Sequence, residues 1–153
     1  MPADKLPSLD ECTCLAVRQA ARHVSQFYDR HLASVGLRTT QFSILARLRR
    51  HEVMTINALA DEMVMDRTTL GRNILPLERD GLISIKPGRT DRRSKELRLT
   101  DAGLEKLRAA HQGWKDAQAG FAAAFGDERA AGLRTLLREV TATDLSTESV
   151  AGG

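Results

Sequence analysis

Apolar side chains recur along this chain at two periods, and the change from one to the other separates helices from strands. Val17, Ala21, Val24, Tyr28, Leu32 and Val35 follow one another at steps of three or four, the stripe of an amphipathic helix over about residues 9–35. Gly36 is placed to close that helix as a left-handed cap. Thr39 or Thr40 can then offer a hydroxyl to the free N–H groups of a second helix, which bears Phe42, Leu45 and Leu48 and runs to about His51. Thr55 predicts a cap for a third helix of barely two turns, with Ile56, Leu59, Ala60 and Met63 on its apolar face. Past the short connection Val64–Met65, Asp66 reads as the cap of a fourth helix, in which Leu70, Ile74 and Leu77 repeat at helical spacing and which Gly81 ends. Pro76, near the last turns of that helix, removes one backbone hydrogen bond and predicts a bend or a tightened turn.

The period then falls to two. Leu82–Lys86 and Lys95–Leu99 alternate in the manner of strands and flank the charged loop 87–94. Thr100–Asp101 opens the longest helix, with Leu104, Leu107, His111, Trp114, Gln118, Phe121 and Phe125 at helical spacing, and Asp127 is placed to cap a last helix carrying Leu133, Leu136, Leu137 and Val140. One domain's core cannot bury all of these stripes, so the terminal helices are expected to form a bundle between two copies of the chain, with His111 and Trp114 at the contact. The expected fold is mainly α with a small β-hairpin wing (α+β). It divides into an N-terminal arm (1–8), dimerisation helices (9–36 and 101–143), a winged helix-turn-helix lobe (37–100) and a polar, disordered tail (144–153).

A short helix, a tight turn and a second helix with exposed Arg and Thr make a helix-turn-helix, whose second member lies in the major groove of DNA. A hairpin directly after it is a wing, and an arginine-bearing loop can enter a narrow minor groove, where the potential is most negative. Charge sharpens that reading. The net charge of +3 is modest, but between Met65 and Arg98 nine Lys and Arg stand against five acids, so the whole positive excess lies in this one segment.

Composition narrows the remaining classes. With 153 residues and 42% hydrophobic content, one domain with a core is the expectation. No apolar run approaches the roughly 18 residues of a membrane helix, and Met1–Pro7 has no signal-peptide core, so a cytoplasmic protein without a membrane partner is expected. Gly-rich phosphate loops, metal-ligand clusters and nucleophile elbows are missing from the sequence, which argues against an enzyme, and no metal or cofactor is expected. Cys12 and Cys14 are too close in sequence to staple distant segments, and a Cys-x-Cys pair without a second pair of ligands makes a poor zinc site.

The run Asp66-Arg67-Thr68-Thr69-Leu70-Gly71-Arg72-Asn73-Ile74-Leu75-Pro76-Leu77-Glu78-Arg79-Asp80-Gly81-Leu82-Ile83 resembles the MarR family of regulators. So does Asp91-Arg92-Arg93-Ser94-Lys95 followed by Leu97-Arg98-Leu99-Thr100-Asp101-Ala102-Gly103, and the likeness extends over roughly residues 9–142. The resemblance implies a homodimeric transcriptional regulator, a repressor on a pseudo-palindromic operator in double-stranded DNA. Thr68, Thr69 and Arg72 then fall where the recognition helix meets bases and phosphates, with Asn73 beside them, and Arg92 at the wing tip falls where the minor groove is read. Arg89, Arg93 and Lys95 complete the expected DNA-contacting set, Asp91 and Arg93 fall where an acid and a base brace the wing, and Arg67 and Arg79 read as solvated or helix-pairing charges.

The same resemblance implies a small phenolic or other aromatic anion as effector, in a cleft between the dimerisation helices and the DNA-binding lobe. Arg18, His23, Phe27, His31 and Phe42 are candidates to line it. Cys14 falls close to the peroxidatic thiol of the family's organic-hydroperoxide sensors, although Thr39-Thr40-Gln41-Phe42 stands where those sensors supply tyrosines. A thiol switch using Cys14 and Cys12 is therefore an alternative, as is an architectural DNA binder of low sequence preference.

Overall fold

A computed structural model describes residues 8–146, so residues 1–7 of the expected arm (1–8) and 147–153 of the expected tail (144–153) lie outside the described residues. The elements follow in the order α1 (Thr13–Leu32), α2 (Thr39–His51), β1 (Val53–Thr55), α3 (Ile56–Met63), α4 (Arg67–Arg79), β2 (Ile83–Pro87), β3 (Lys95–Leu99), α5 (Asp101–Phe125) and α6 (Asp127–Ala142). The mainly helical fold with a small β wing is the one expected. Among the described residues, no helix is long and apolar enough to cross a membrane.

Several boundaries follow from local chemistry. Thr55 caps α3 by accepting the Ala58 N–H at 3.1 Å, and Asp66 caps α4 by accepting the Thr69 N–H at 2.7 Å. Gly36 (φ 72°) and Gly81 (φ 74°) take the left-handed conformation that ends a helix. Other expectations need correction. The first helix is not continuous over 9–35: a 3₁₀ turn at Leu9–Glu11 precedes α1, Cys12 is the N-cap, and a second 3₁₀ turn at Ala33–Val35 follows. Neither Thr39 nor Thr40 caps α2. Arg38 is the N-cap residue, its N–H donates to Gln41 Oε1 at 3.1 Å, and the Thr39 N–H is taken by Asp29 of α1 at 2.7 Å. Asp127 is the first residue of α6 rather than its cap, which is Gly126. Pro76 leaves α4 helical as far as Arg79, because so near the C-terminus its ring costs only the bond to the Arg72 carbonyl, while its own carbonyl accepts the Asp80 N–H at 3.0 Å.

The sheet holds a strand that the alternation did not reveal. β1 pairs antiparallel with β3, Met54 opposite Leu97, and β2 pairs with the other edge of β3, Ile85 opposite Leu97, giving the order β1-β3-β2. Leu97 on the central strand is wholly buried, and with Ile44, Leu45, Leu48, Leu59, Leu70 and Leu77 it forms the core that α2, α3 and α4 share with the sheet. Leu32 of α1 and Ala110 of α5 close this core from the other side. α5 approaches closely because of two glycines: a Cβ on Gly103 would strike the Leu82 carbonyl, and one on Gly113 the His31 carbonyl.

Beyond the core, Val17 of α1 and Leu136, Leu137 and Val140 of α6 are exposed. A largely apolar groove of about 490 Å³ runs beside them between α1, α5 and α6, lined among others by Val17, Val24, Tyr28, Phe121 and Leu133. The Tyr28 hydroxyl donates to Gln118 Oε1 at the edge of this groove, and burial raises its phenol above the ordinary value while Arg134 partly opposes the shift.

Candidate nucleic-acid interface

The helix-turn-helix is built from α3, the turn Val64–Met65 and α4. Val64 caps α3 in left-handed backbone (φ 52°, ψ 47°), and its N–H bonds to the Asp61 carbonyl at 3.2 Å. Asp66 then holds Thr69 twice, through the N–H and through the hydroxyl, which donates to Oδ2 at 2.8 Å. Those bonds keep the Asp66 carboxyl below the ordinary carboxylate range. Asn73 donates its side-chain amide to the Thr69 carbonyl at 2.9 Å. Thr69 and Asn73 are thus tied into the start of the helix, whereas Thr68 and Arg72 are exposed with no side-chain hydrogen bond among the described residues. Arg72 lines a small cleft, about 210 Å³, with Asn73, Asp29, Arg38 and Gln41 at the N-terminus of α2.

The wing is braced by its backbone. Gly88 N–H bonds to Ser94 O at 2.8 Å, and the Asp91 carbonyl accepts both the N–H (3.2 Å) and the hydroxyl (2.8 Å) of Ser94. Asp91 and Arg93, the residues expected to brace the wing, meet through the backbone: the carboxylate accepts the Arg93 N–H at 3.0 Å in an Asx turn. Glu96 of β3 accepts the Arg89 N–H at 3.3 Å. Among the described residues the ion pairs are Arg47–Glu62, His51–Glu62, Arg79–Asp80, Arg98–Glu96 and Arg108–Glu105. None uses Arg67, Arg72, Arg89, Arg92, Arg93 or Lys95. These six cations of α4 and the wing are exposed and have no acid in ion-pair contact, the state required of groups that exchange counterions for phosphates.

The five residues expected around an effector are not gathered in the protomer. Arg18 and His23 are exposed on α1, and Phe27 and His31 pack against each other with ring centroids 4.6 Å apart. Phe42 is buried and stacks on Trp114 at 6.0 Å, so Trp114 is turned inward against α2. Phe42 alone of the five lines a cleft of about 680 Å³ between α2, α3 and α5. The other walls are Arg47, Arg50, Met63, His111 and Trp114, with Glu62 bridging His51 (2.8 Å) and Arg47 (3.5 Å) across the α2–α3 contact. Sequence reading missed this grouping because two of its aromatic walls come from α5, far along the chain. Cys12 Sγ accepts the Leu15 N–H at 3.4 Å as the N-cap of α1, and Cys14 is exposed.

The model of the MarR family matches residues 37–95, from the end of the first helical segment to the start of β3. Among curated proteins, the chain is 26% identical over 95 residues to the organic hydroperoxide resistance transcriptional regulator of Bacillus subtilis, covering 62% of this chain and 65% of that protein. It is 32% identical over 88 residues to the transcriptional activatory protein BadR of Rhodopseudomonas palustris, covering 56% of this chain and 50% of that protein, so the matched stretch spans half to two thirds of these two relatives. Among solved structures, the transcriptional regulator MosR of M. tuberculosis is 35% identical, with 89% of this chain and 100% of that chain covered and a TM-score of 0.75. The same regulator in complex with DNA is 36% identical, with 86% and 98% covered and a TM-score of 0.74. A regulator superposed over its whole length at that identity, together with a family match that runs through the helix-turn-helix and the wing loop, means that the chain belongs to the MarR family of transcriptional regulators.

Proposed function

We propose that this protein is a sequence-specific DNA-binding regulator that acts as a homodimer on a pseudo-palindromic operator, represses transcription there, and resides in the cytoplasm. The observation that carries the reading is the set Arg67, Arg72, Arg89, Arg92, Arg93 and Lys95 on α4 and the wing, all exposed and none in an ion pair among the described residues. In this reading α4 lies in the major groove, where Arg72 can fork onto guanine O6 and N7 for about 1–3 kcal/mol of discrimination. Thr68 contacts a base or phosphate, and Arg92 reads the adjacent minor groove by shape. The exposed apolar side chains of α1 and α6 support a second copy as partner, and a symmetric dimer sets two recognition helices about 34 Å apart, one turn of DNA.

The cleft between α2, α3 and α5 supports a small aromatic anion as effector. Phe42 and Trp114 offer stacking faces, Arg47 and Arg50 offer charge, and the α3 wall connects directly to the helix-turn-helix. Such a ligand releases DNA only to the extent that it prefers the conformation with another helix spacing. The test is selection of duplexes from fragmented genomic DNA, followed by titration of the best site against a scrambled one at two salt concentrations. A strongly preferred pseudo-palindrome supports the operator-specific dimer. Equal, steeply salt-dependent binding to both duplexes overturns it in favour of an architectural binder.

A second reading, a thiol-responsive regulator, is favoured by the position of Cys12 at the N-cap of α1 with Cys14 two residues on and exposed. It requires that mild oxidant release the selected duplex and that Cys12→Ser or Cys14→Ser abolish the release.

A further inference from the structure

Between the first turn of α3, the first residue of α4 and the foot of the wing lies a cavity of about 270 Å³, into whose walls Asn57, Arg67, Asp91, Arg93 and Lys95 enter. We propose that this cavity seats a phosphodiester of the DNA backbone, with Arg67 as its principal cation, and that Arg93 and Lys95 serve this strand rather than the base edges. The proposal rests on the DNA-binding reading above and adds a positioning contact to it.

Three observations carry it. The first is charge. Three cations from two distant segments face the cavity against one carboxylate, that of Asp91, whose Oδ1 already accepts the Arg93 N–H at 3.0 Å. The second is the placement of Arg67. It is the first residue of α4, at the positive end of the helix, where a cation is unfavourable for folding. Both oxygens of the neighbouring Asp66 are engaged by Thr69, and Arg67 enters no ion pair among the described residues. The fold gains nothing from a cation there, and an incoming anion does. The third is topological. A protein that reads a major groove with one element and the adjoining minor groove with the next must let the strand dividing the two grooves pass between those elements, and this cavity is the space between α4 and the wing. The N–H of Asn57, at the second position of α3, has no acceptor within its helix, since the Thr55 hydroxyl serves Ala58, and it adds a donor on the same wall.

Filter-binding titrations of the full-length protein at 50–250 mM KCl, on the selected operator and on its scrambled counterpart, test the seat. Each phosphate contact contributes about 0.9 to the slope of log K against log salt, so Arg67→Ala should lower the slope by about 1.8 for a dimer, and equally on both duplexes. One lost contact corresponds to roughly five-fold weaker binding per protomer at 0.15 M salt. Arg67→Lys should restore most of the slope, and the melting temperature of Arg67→Ala should equal or exceed that of the wild type. An unchanged slope overturns the seat. So does a loss confined to the operator, which makes Arg67 a base-reading residue, or a slope lost together with a lowered melting temperature in both variants, which makes its role structural. A wild-type protein that binds neither duplex sinks the DNA-binding reading itself, an outcome distinct from these.

Discussion

Val64 holds a β-branched side chain in left-handed backbone, at φ 52° and ψ 47°. A β-branched side chain in left-handed conformation places Cβ against the following carbonyl, and Val64 is 72% exposed, so burial does not repay the strain. Val64→Gly should therefore raise stability by about 1 kcal/mol, read as a higher midpoint of chemical denaturation with an unchanged slope. Asp66 gives a pH-dependent counterpart. Its carboxyl is held below the ordinary range by the Thr69 bonds, so the stability it contributes is present above the ordinary carboxylate value, near pH 4, and is lost as the pH falls through the lower native one. Asp66→Asn should melt below the wild type at neutral pH and converge with it in acid, and a difference that does not vary with pH would contradict this origin. Asp66 and Thr55 were legible in the sequence because a capping side chain and the N–H that donates to it lie within three residues of each other. The start of α2 was not, because its donor is satisfied by Asp29, ten residues upstream on another helix.

At the scale of elements, the clearest joint is Thr100. Its hydroxyl donates to the Gly81 carbonyl at 2.6 Å and accepts the Gly103 N–H at 3.0 Å, so the end of the recognition helix is tied to the start of α5 by a single side chain. Thr100→Val removes both bonds with little change of shape and should cost about 1–2 kcal/mol. Hydrogen exchange should rise at the first turn of α5 and around Gly81, and protection unchanged there would mean that packing and the Thr100 N–H bond to the Leu82 carbonyl (3.1 Å) hold the joint without the hydroxyl. The recognition helix and the hairpin could be read from periodicity, since each repeats over several residues. β1 could not: three residues, Val53–Thr55, are too few to show an alternation, and only their pairing with Glu96–Arg98 makes them a strand.

At the scale of the molecule, the stripes that outrun the core do remain uncovered in the single chain, with Leu136 58% exposed and Val140 46% exposed on α6. If a second copy covers them, Leu136→Lys combined with Val140→Lys should shift the protein from dimer to monomer in sedimentation. The double variant should also lose most of its affinity for a two-half-site duplex while keeping the salt-dependent binding of one lobe. A double variant that sediments with the wild type would place the dimer contact elsewhere. The surplus of apolar stripes was visible in the sequence, because it follows from counting faces. The cleft was not, because its walls are set by how α5 crosses α2, and Trp114, expected at the contact between copies, turns instead onto Phe42.

Trp114 is the only tryptophan of the chain, and it stands in a wall of the cleft with its ring stacked 6.0 Å from Phe42 and 5.9 Å from His111. Intrinsic emission excited at the indole band therefore reports from that one place alone. A molecule that enters the cleft must quench or shift it in a saturable way, without any label. The same signal followed while duplex is added would reveal whether events at the recognition helix reach the cleft, which makes the protein its own optical probe for an effector screen.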